Sequence, residues 1–264
     1  MQASIDISWL QLGLFSSLLL IPLCINAYFK LGINKSTLFS LLRMLLQLIF
    51  LGFYLEYIFV LDNIWLNITW VILMIVIGSH SIISKSDLSN RKLLFASALA
   101  LSCALLPLLF IMSLMVIRPS PLYSAQYMIP LAGMLLGNSL SGNIMALQNL
   151  FDAFKQRQDE YEAAIALGAT AYQAAFPFLQ QAMKKAQAPI LASIATTGVV
   201  TLPGMMTGQI LGGVPPMVAI KYQLLIFTAI FVMLSMSLSI TLLLTLHFSL
   251  AKNGLIKIKR NIDS

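Results

Sequence analysis

Charge is what this sequence most lacks. Only 9% of its 264 residues are Asp, Glu, Lys or Arg, against about 25% in a soluble domain, which excludes an ordinary cytosolic or secreted globule. Cysteine is scarce too: Cys24 and Cys103 both sit in apolar runs, in no C-x-x-C or His-paired pattern, so they read as membrane-core residues without a metal or redox signature. No G-x-x-x-x-G-K-[ST] phosphate loop occurs, so the chain is not expected to hydrolyse ATP by that route. No nucleophile, base and orienting residue cluster together. Before the first apolar stretch there is no basic segment, and no small-residue cleavage site clearly follows. That stretch is therefore expected to remain as a membrane span and not as a secretory signal.

What is present is apolar length. Hydrophobic residues make up 59% of the chain and the mean hydropathy is +0.89. Windows of about 19 residues predict seven spans, at 9–29, 37–60, 64–84, 93–117, 127–150, 190–211 and 224–248. The expected fold is all-α, a polytopic membrane helical bundle forming one membrane domain over 1–264. The net charge of +7 then records where loops lie, with no nucleic-acid partner implied. Placing the N-terminus outside puts Lys30, Lys35, Arg43, Lys85, Arg91, Lys92, Lys155, Arg157, Lys184, Lys185, Lys252, Lys257, Lys259 and Arg260 inside, and only Arg118 and Lys221 outside. Positive charge is retained on the cytoplasmic side, so the expectation is N-terminus out and C-terminus in.

One long inner segment, 151–189, concentrates charge in Asp152, Lys155, Arg157, Asp159, Glu160 and Glu162. Within it Tyr172, Phe176, Leu179 and Met183 recur at the spacing of one helical face. Gly168 followed by Thr170 predicts a helix, a glycine turn and a second helix capped by the threonine. Two readings stay open for this pair: a docking element for a partner, or an amphipathic hairpin lying at the membrane surface. Its polar face mixes acidic and basic residues, which favours docking.

The sixth span is interrupted. Thr196-Thr197-Gly198 and then Thr201-Leu202-Pro203-Gly204-Met205-Met206-Thr207-Gly208-Gln209 combine a missing backbone donor with loosened turns. In hydrocarbon such a break survives only against protein or a water-lined cavity, and broken helices recur at transport sites. A packing kink among small residues is the plainer alternative. The fifth span carries a polar stripe, with Asn138, Ser139, Ser141, Asn143, Gln148 and Asn149 either holding helices together or lining a path. Arg43 and Glu56 lie near opposite ends of one span, close enough to reach water. His80 and His247 read as interface residues, and the 14 methionines as apolar filler, with the pair Met205-Met206 set apart by its place at the break.

The strings Ile129-Pro-Leu-Ala-Gly-Met134 with Gly137-Asn138, Leu167-Gly168-Ala-Thr170, Gly198 to Gln209, and Ala219-Ile-Lys-Tyr-Gln223 resemble the FetB family of ABC-transporter permeases. The bacterial founder of that family is linked to iron export and its plant relatives to aluminium tolerance. Glu162-Ala163-Ala164 followed by Gly168 also resembles, in part, the loop by which ABC permeases dock on their ATPase. The sequence departs from the family at Ala192, Ala195 and Pro215, where charged residues are common, and so loses charge near the expected path.

The resemblance implies a permease in the cell inner (plasma) membrane that pairs as a homodimer with a separate ABC ATP-binding subunit. It implies a metal ion as cargo, iron first, moving outward, and no cofactor or catalytic residue of the chain's own. Coupling to the ATPase would run through Glu162, Ala163, Ala164 and Gly168. The path would involve Asn138, Pro203, Gly204, Met205, Met206, Thr207 and Gln209. The rivals are an ABC permease for a non-metal cargo, a gradient-driven carrier or channel, which predicts internal repeats or buried carboxylates, and a membrane-embedded enzyme. The last lacks the clustered His, Asp and Glu it would need.

Overall fold

With so few charged residues the chain must satisfy its backbone internally if it is to sit in lipid, and the helix does this segment by segment. The computed structural model describes residues 6–88 and 90–249. These are helical almost throughout, and among them strand-like pairing is confined to a single bridge between Thr197 and Thr201. The elements are α1 (Trp9–Ser16) and α2 (Leu20–Tyr28), joined by a 3-10 turn at Ser17–Leu19, then α3 (Asn34–Leu61), α4 (Ile64–Lys85) and α5 (Arg91–Ile111), which continues as a π segment, Met112–Ile117. There follow α6 (Ala125–Gln156), α7 (Gln158–Ala166), α8 (Ala171–Thr196), α9 (Gly204–Leu211) and α10 (Pro216–Ser249). Helix starts carry their expected chemistry: Ser8, Asn63, Asn90 and Thr170 each accept a bond from a backbone N–H of the first turn, filling one of the donors a helix start leaves open.

Among the described residues five stretches are long and apolar enough to cross a bilayer by themselves: Trp9–Tyr28, Asn34–Leu61, Ile64–Lys85, Arg91–Ile117 and Pro216–Ser249. The fifth and sixth spans expected from the sequence are of a different kind. The fifth lies inside α6, a continuous helix whose polar stripe lowers its hydropathy. The sixth is divided between α8 and α9 by the non-helical residues 197–203. The expected boundary at Pro189 is absent, because α8 runs on through both Pro177 and Pro189. The carbonyls these prolines leave free belong to Gln173 and Lys185, both exposed residues, so neither proline strands a buried acceptor. The basic residues Lys252, Lys257, Lys259 and Arg260 lie outside the described residues.

The core is a bundle of α4, α5, α6, α8 and α10, with α10 packed against α5, α6, α8 and α9. Leu101, Leu105, Leu135, Leu147, Leu150, Met233, Leu238 and Leu242 are buried in it. Small residues bring helix axes together, as membrane packing requires: Ala96, Ala100 and Ala104 are wholly buried on α5, and a Cβ at Gly142 of α6 would collide with Leu234 of α10. The first two spans stand apart. The stretch Trp9–Tyr28 buries no residue, and α3 meets the bundle through Tyr54, Leu55 and Ile58 near its C-terminal end, where the Tyr54 ring lies 4.3 Å from that of Trp70.

Candidate functional site

The α7–α8 hairpin follows its sequence closely. Gly168 has φ +94, a conformation glycine adopts at no steric cost, and it turns the chain between two helices. Thr170 accepts from the Gln173 N–H at 3.3 Å while the Gln173 side chain accepts from the Thr170 N–H at 2.9 Å, a reciprocal cap. Glu162 is exposed and accepts from Gln158 Nε2 at 2.6 Å. Ala163 is exposed and Ala164 half-buried. At the tip, Leu167 is 89% exposed, a large apolar side chain offered to the surroundings.

Three rings that sequence reasoning did not single out hold this hairpin to the bundle. The rings of Phe154 of α6 and Phe178 of α8 stack at 4.9 Å, and Tyr161 of α7 meets them edge-on at 5.5 and 6.3 Å. Arg157 lies 4.9 Å over the Phe178 ring, donates to Gln181 Oε1 at 3.2 Å and forms an ion pair with Glu160. The hydrogen bond from Arg157 holds the Glu160 carboxyl below the usual carboxylate range and raises the guanidinium in turn. Burial pushes the Tyr161 hydroxyl up. The face assigned to Tyr172, Phe176, Leu179 and Met183 divides: Leu179 is buried and Met183 half-buried, while Tyr172 and Phe176 stay exposed. The buried face of α8 is marked instead by Ala174, Ala175, Phe178, Ala182 and Ala186.

The break behaves differently from the hairpin. Residues 196–201 fold into a tight loop, with the Val200 and Thr201 N–H groups both donating to the Thr196 carbonyl, the Gly198 N–H donating to Thr201 O, and Gly198 at φ +88. Counted from the Phe154–Phe178 contact at 1.5 Å per residue, Thr196 lies about 27 Å along α8, level with Leu136 of α6 and about 16 Å short of the α6 start. The interruption therefore lies beside the part of α6 that holds the expected fifth span. Val199 and Val200 are 91% and 77% exposed, so the loop points away from its own bundle. Pro203, Met205, Met206, Thr207 and Gln209 are half-buried and Gly204 exposed. Met205 packs against the core, Thr207 Oγ1 donates to Pro203 O at 3.1 Å, and Gln209 Oε1 is buried without a partner among the described residues. Asn138 is exposed on α6, donating to its own Met134 carbonyl at 2.8 Å. It is near this level but is not gathered with the α9 residues in any bonded cluster.

At the end of the bundle opposite α7, Asp62 was not foreseen as a bridging residue. Capping α3 in the left-handed conformation (φ 35), it accepts from the Ala125 N–H at the start of α6 at 2.8 Å and from Asn67 Nδ2 at 3.4 Å. Asn67 also donates to Tyr123 O at 2.8 Å. A carboxylate at a helix N-terminus is favourable, and this one ties the α3–α4 corner to α6. Among the described residues no three His, Cys, Asp or Glu side chains converge as a metal site.

The profile of an uncharacterised protein family, UPF0014, matches residues 9–249. The chain is 32% identical over 234 residues to a UPF0014 membrane protein, slr1647, of Synechocystis, covering 85% of this chain and 86% of that one. It is 30% identical over 216 residues, 82% of each chain, to a protein of Escherichia coli named as the probable iron export permease protein FetB. It is 31% identical over 198 residues to the protein ALUMINUM SENSITIVE 3 of Arabidopsis thaliana, covering 75% of this chain and 71% of the relative. No solved structure matches the chain. FetB is thus one relative within a broader group, and the chain belongs to the UPF0014 family of membrane proteins.

Proposed function

We propose that this chain is the membrane-spanning permease of an ATP-driven exporter, working as two copies with two separate ABC ATP-binding subunits in the cell inner membrane, with a metal ion, iron first, as its cargo. The observation that carries the reading is the α7–α8 hairpin. A surface-lying amphipathic pair would turn its apolar side chains toward lipid headgroups and carry Lys and Arg on the other face. Here the apolar tip Leu167 ends a helix whose exposed side chains include Glu162 and the Arg157–Glu160 pair, and the hairpin is held to α6 by packed rings. A rigid, charged knob of this kind can pass a push from a partner into the bundle, and α8 leads directly from it to the break at residues 197–203.

The break supports the transport half of the reading. Irregular backbone facing lipid at membrane depth is not tolerated, so the exposed loop needs protein or water against it, which a second copy and a path between or beside the copies would supply. Iron enters through the name of one relative. The N-out, C-in orientation rests on the distribution of Lys and Arg.

The test is to purify the tagged chain from its native membranes in mild detergent and assay ATP hydrolysis. An ABC ATP-binding subunit should co-purify in equal amount, and Glu162→Lys should remove it while leaving the permease in the membrane. A wild-type chain that purifies without any such subunit would overturn the reading.

A further inference from the structure

Ten buried side-chain oxygen atoms have no hydrogen-bond partner among the described residues, and six of them are Ser97 Oγ on α5, Ser139 Oγ and Asn143 Oδ1 on α6, and Thr241 Oγ1, Thr245 Oγ1 and Ser249 Oγ on α10. All six residues are at most 4% exposed. An unpaired buried polar group costs about 1–3 kcal/mol, and nowhere is water scarcer than in a bilayer core, so their grouping calls for an explanation.

Their placement suggests one. Ser237, Thr241, Thr245 and Ser249 follow at every fourth residue, a single row on α10 about 18 Å long at 1.5 Å per residue, more than half of a hydrocarbon core of about 30 Å. At the top of the row Asn143 Nδ2 donates to Ser237 Oγ at 2.9 Å, so the Asn143 amide lies on the α6–α10 seam with its oxygen unpaired. Gln187 of α8 reaches Ser235 at 3.3 Å half a turn away, so α6, α8 and α10 meet here. Ser139 lies within about one turn of the level at which α8 stops. The row thus runs from the α7 end of the bundle to the level of Asn143, and Ser139 continues the polar line on α6 to within about one turn of the break.

We propose that this hydroxyl row, with Ser139 and Asn143, is the cytoplasmic half of the transport path, a track for a small hydrated cation that is closed in the described conformation. The proposal rests on the transporter reading above. Neutral hydroxyl and amide oxygens are hard ligands that can replace a water shell, whereas a lipid-like cargo would gain nothing from them. The unpaired oxygens are what remains when such a track closes and its water leaves. The break and α9 would then form the opposite half.

The test uses the full chain in inside-out membrane vesicles of cells that express it with its native partners, in a Cys24→Ala, Cys103→Ala background. Thr241→Cys and Thr245→Cys are each challenged with the cationic thiol reagent MTSET and the anionic MTSES, with and without ATP. Leu243→Cys, on the exposed side of the same helix, is the control. Because the reacting species is the thiolate, which hydrocarbon suppresses, MTSET should modify positions 241 and 245 at least about tenfold faster than position 243, and faster than MTSES does. Thr241→Val should lose transport and Thr241→Ser retain it. Reaction that ignores ATP would keep the track and overturn the ATP-driven reading instead. Two results would overturn the track: positions 241 and 245 no more reactive than 243 in any nucleotide state, or MTSES the faster reagent.

Discussion

Gly168→Val is the most informative single change, because the structure separates its two ways of doing harm. A Cβ at this position meets nothing within 4 Å, so crowding contributes nothing. The backbone, however, is at φ +94, where an L side chain is strained, and the left-handed penalty for such a residue is about 1–2 kcal/mol. The hairpin has two ways to respond: hold its shape at that cost, or relax φ and swing α7 away from α8. At RT of 0.59 kcal/mol the penalty shifts the balance toward the swung form by about 5- to 30-fold. The strain lies outside the bundle core, so insertion and thermal stability of the spans should be near normal. Co-purification of the ATP-binding subunit should fall by up to that factor and transport with it, while Gly168→Ala, without the branched Cβ, should be milder. Normal ATPase coupling in Gly168→Val would refute the hinge role of Gly168 and return the hairpin to a membrane-surface element.

Other changes probe the remaining parts of the account. A Cβ at Gly204 meets open space, so Gly204→Leu should insert and fold yet abolish transport; unchanged transport would reduce the break to a packing kink. Met205→Ala and Met206→Ala should leave ferric iron transport intact, since that ion prefers oxygen ligands, and a large loss would point to a softer cargo. Asp62→Ala should lower stability by about 1 kcal/mol through loss of the acceptor at the α6 start, read as a lower Tm with orientation unchanged. Reporter fusions at Ser4 and Ser264 should report opposite sides of the membrane. For the Arg157–Glu160 pair the depressed Glu160 carboxyl means its contribution is present above the ordinary carboxylate range and lost only as pH falls through the lower folded value, so ATPase coupling should be flat between neutral and mildly acidic pH.

Local chemistry was legible in the sequence and long-range contact was not. Gly168 reveals its conformation by lacking a side chain and Thr170 by the hydroxyl that caps the next helix, so the hairpin could be read directly, as could the interruption around Pro203. The buried face of α8 could not, because large apolar residues mark a buried face in a soluble helix, whereas in a membrane bundle it is the alanines that allow close approach and Tyr172 and Phe176 are left outside. The rings of Phe154, Tyr161 and Phe178 come from three helices, and Asp62 meets Ala125 across 63 positions; no spacing rule announces either. The polar stripe of α6 was visible but its two sides were not, since burial separates Asn143, paired to Ser237, from Asn138, which bonds only its own helix.

The central claim is tested most directly by transport itself. Inside-out vesicles carrying the chain and its ATP-binding partner should accumulate radioactive iron when ATP is added, and neither a non-hydrolysable ATP analogue nor Gly168→Val should support accumulation. Iron accumulation that proceeds without ATP, or that collapses with the ion gradient while ATP is present, would contradict the account and identify the chain as a gradient-driven carrier.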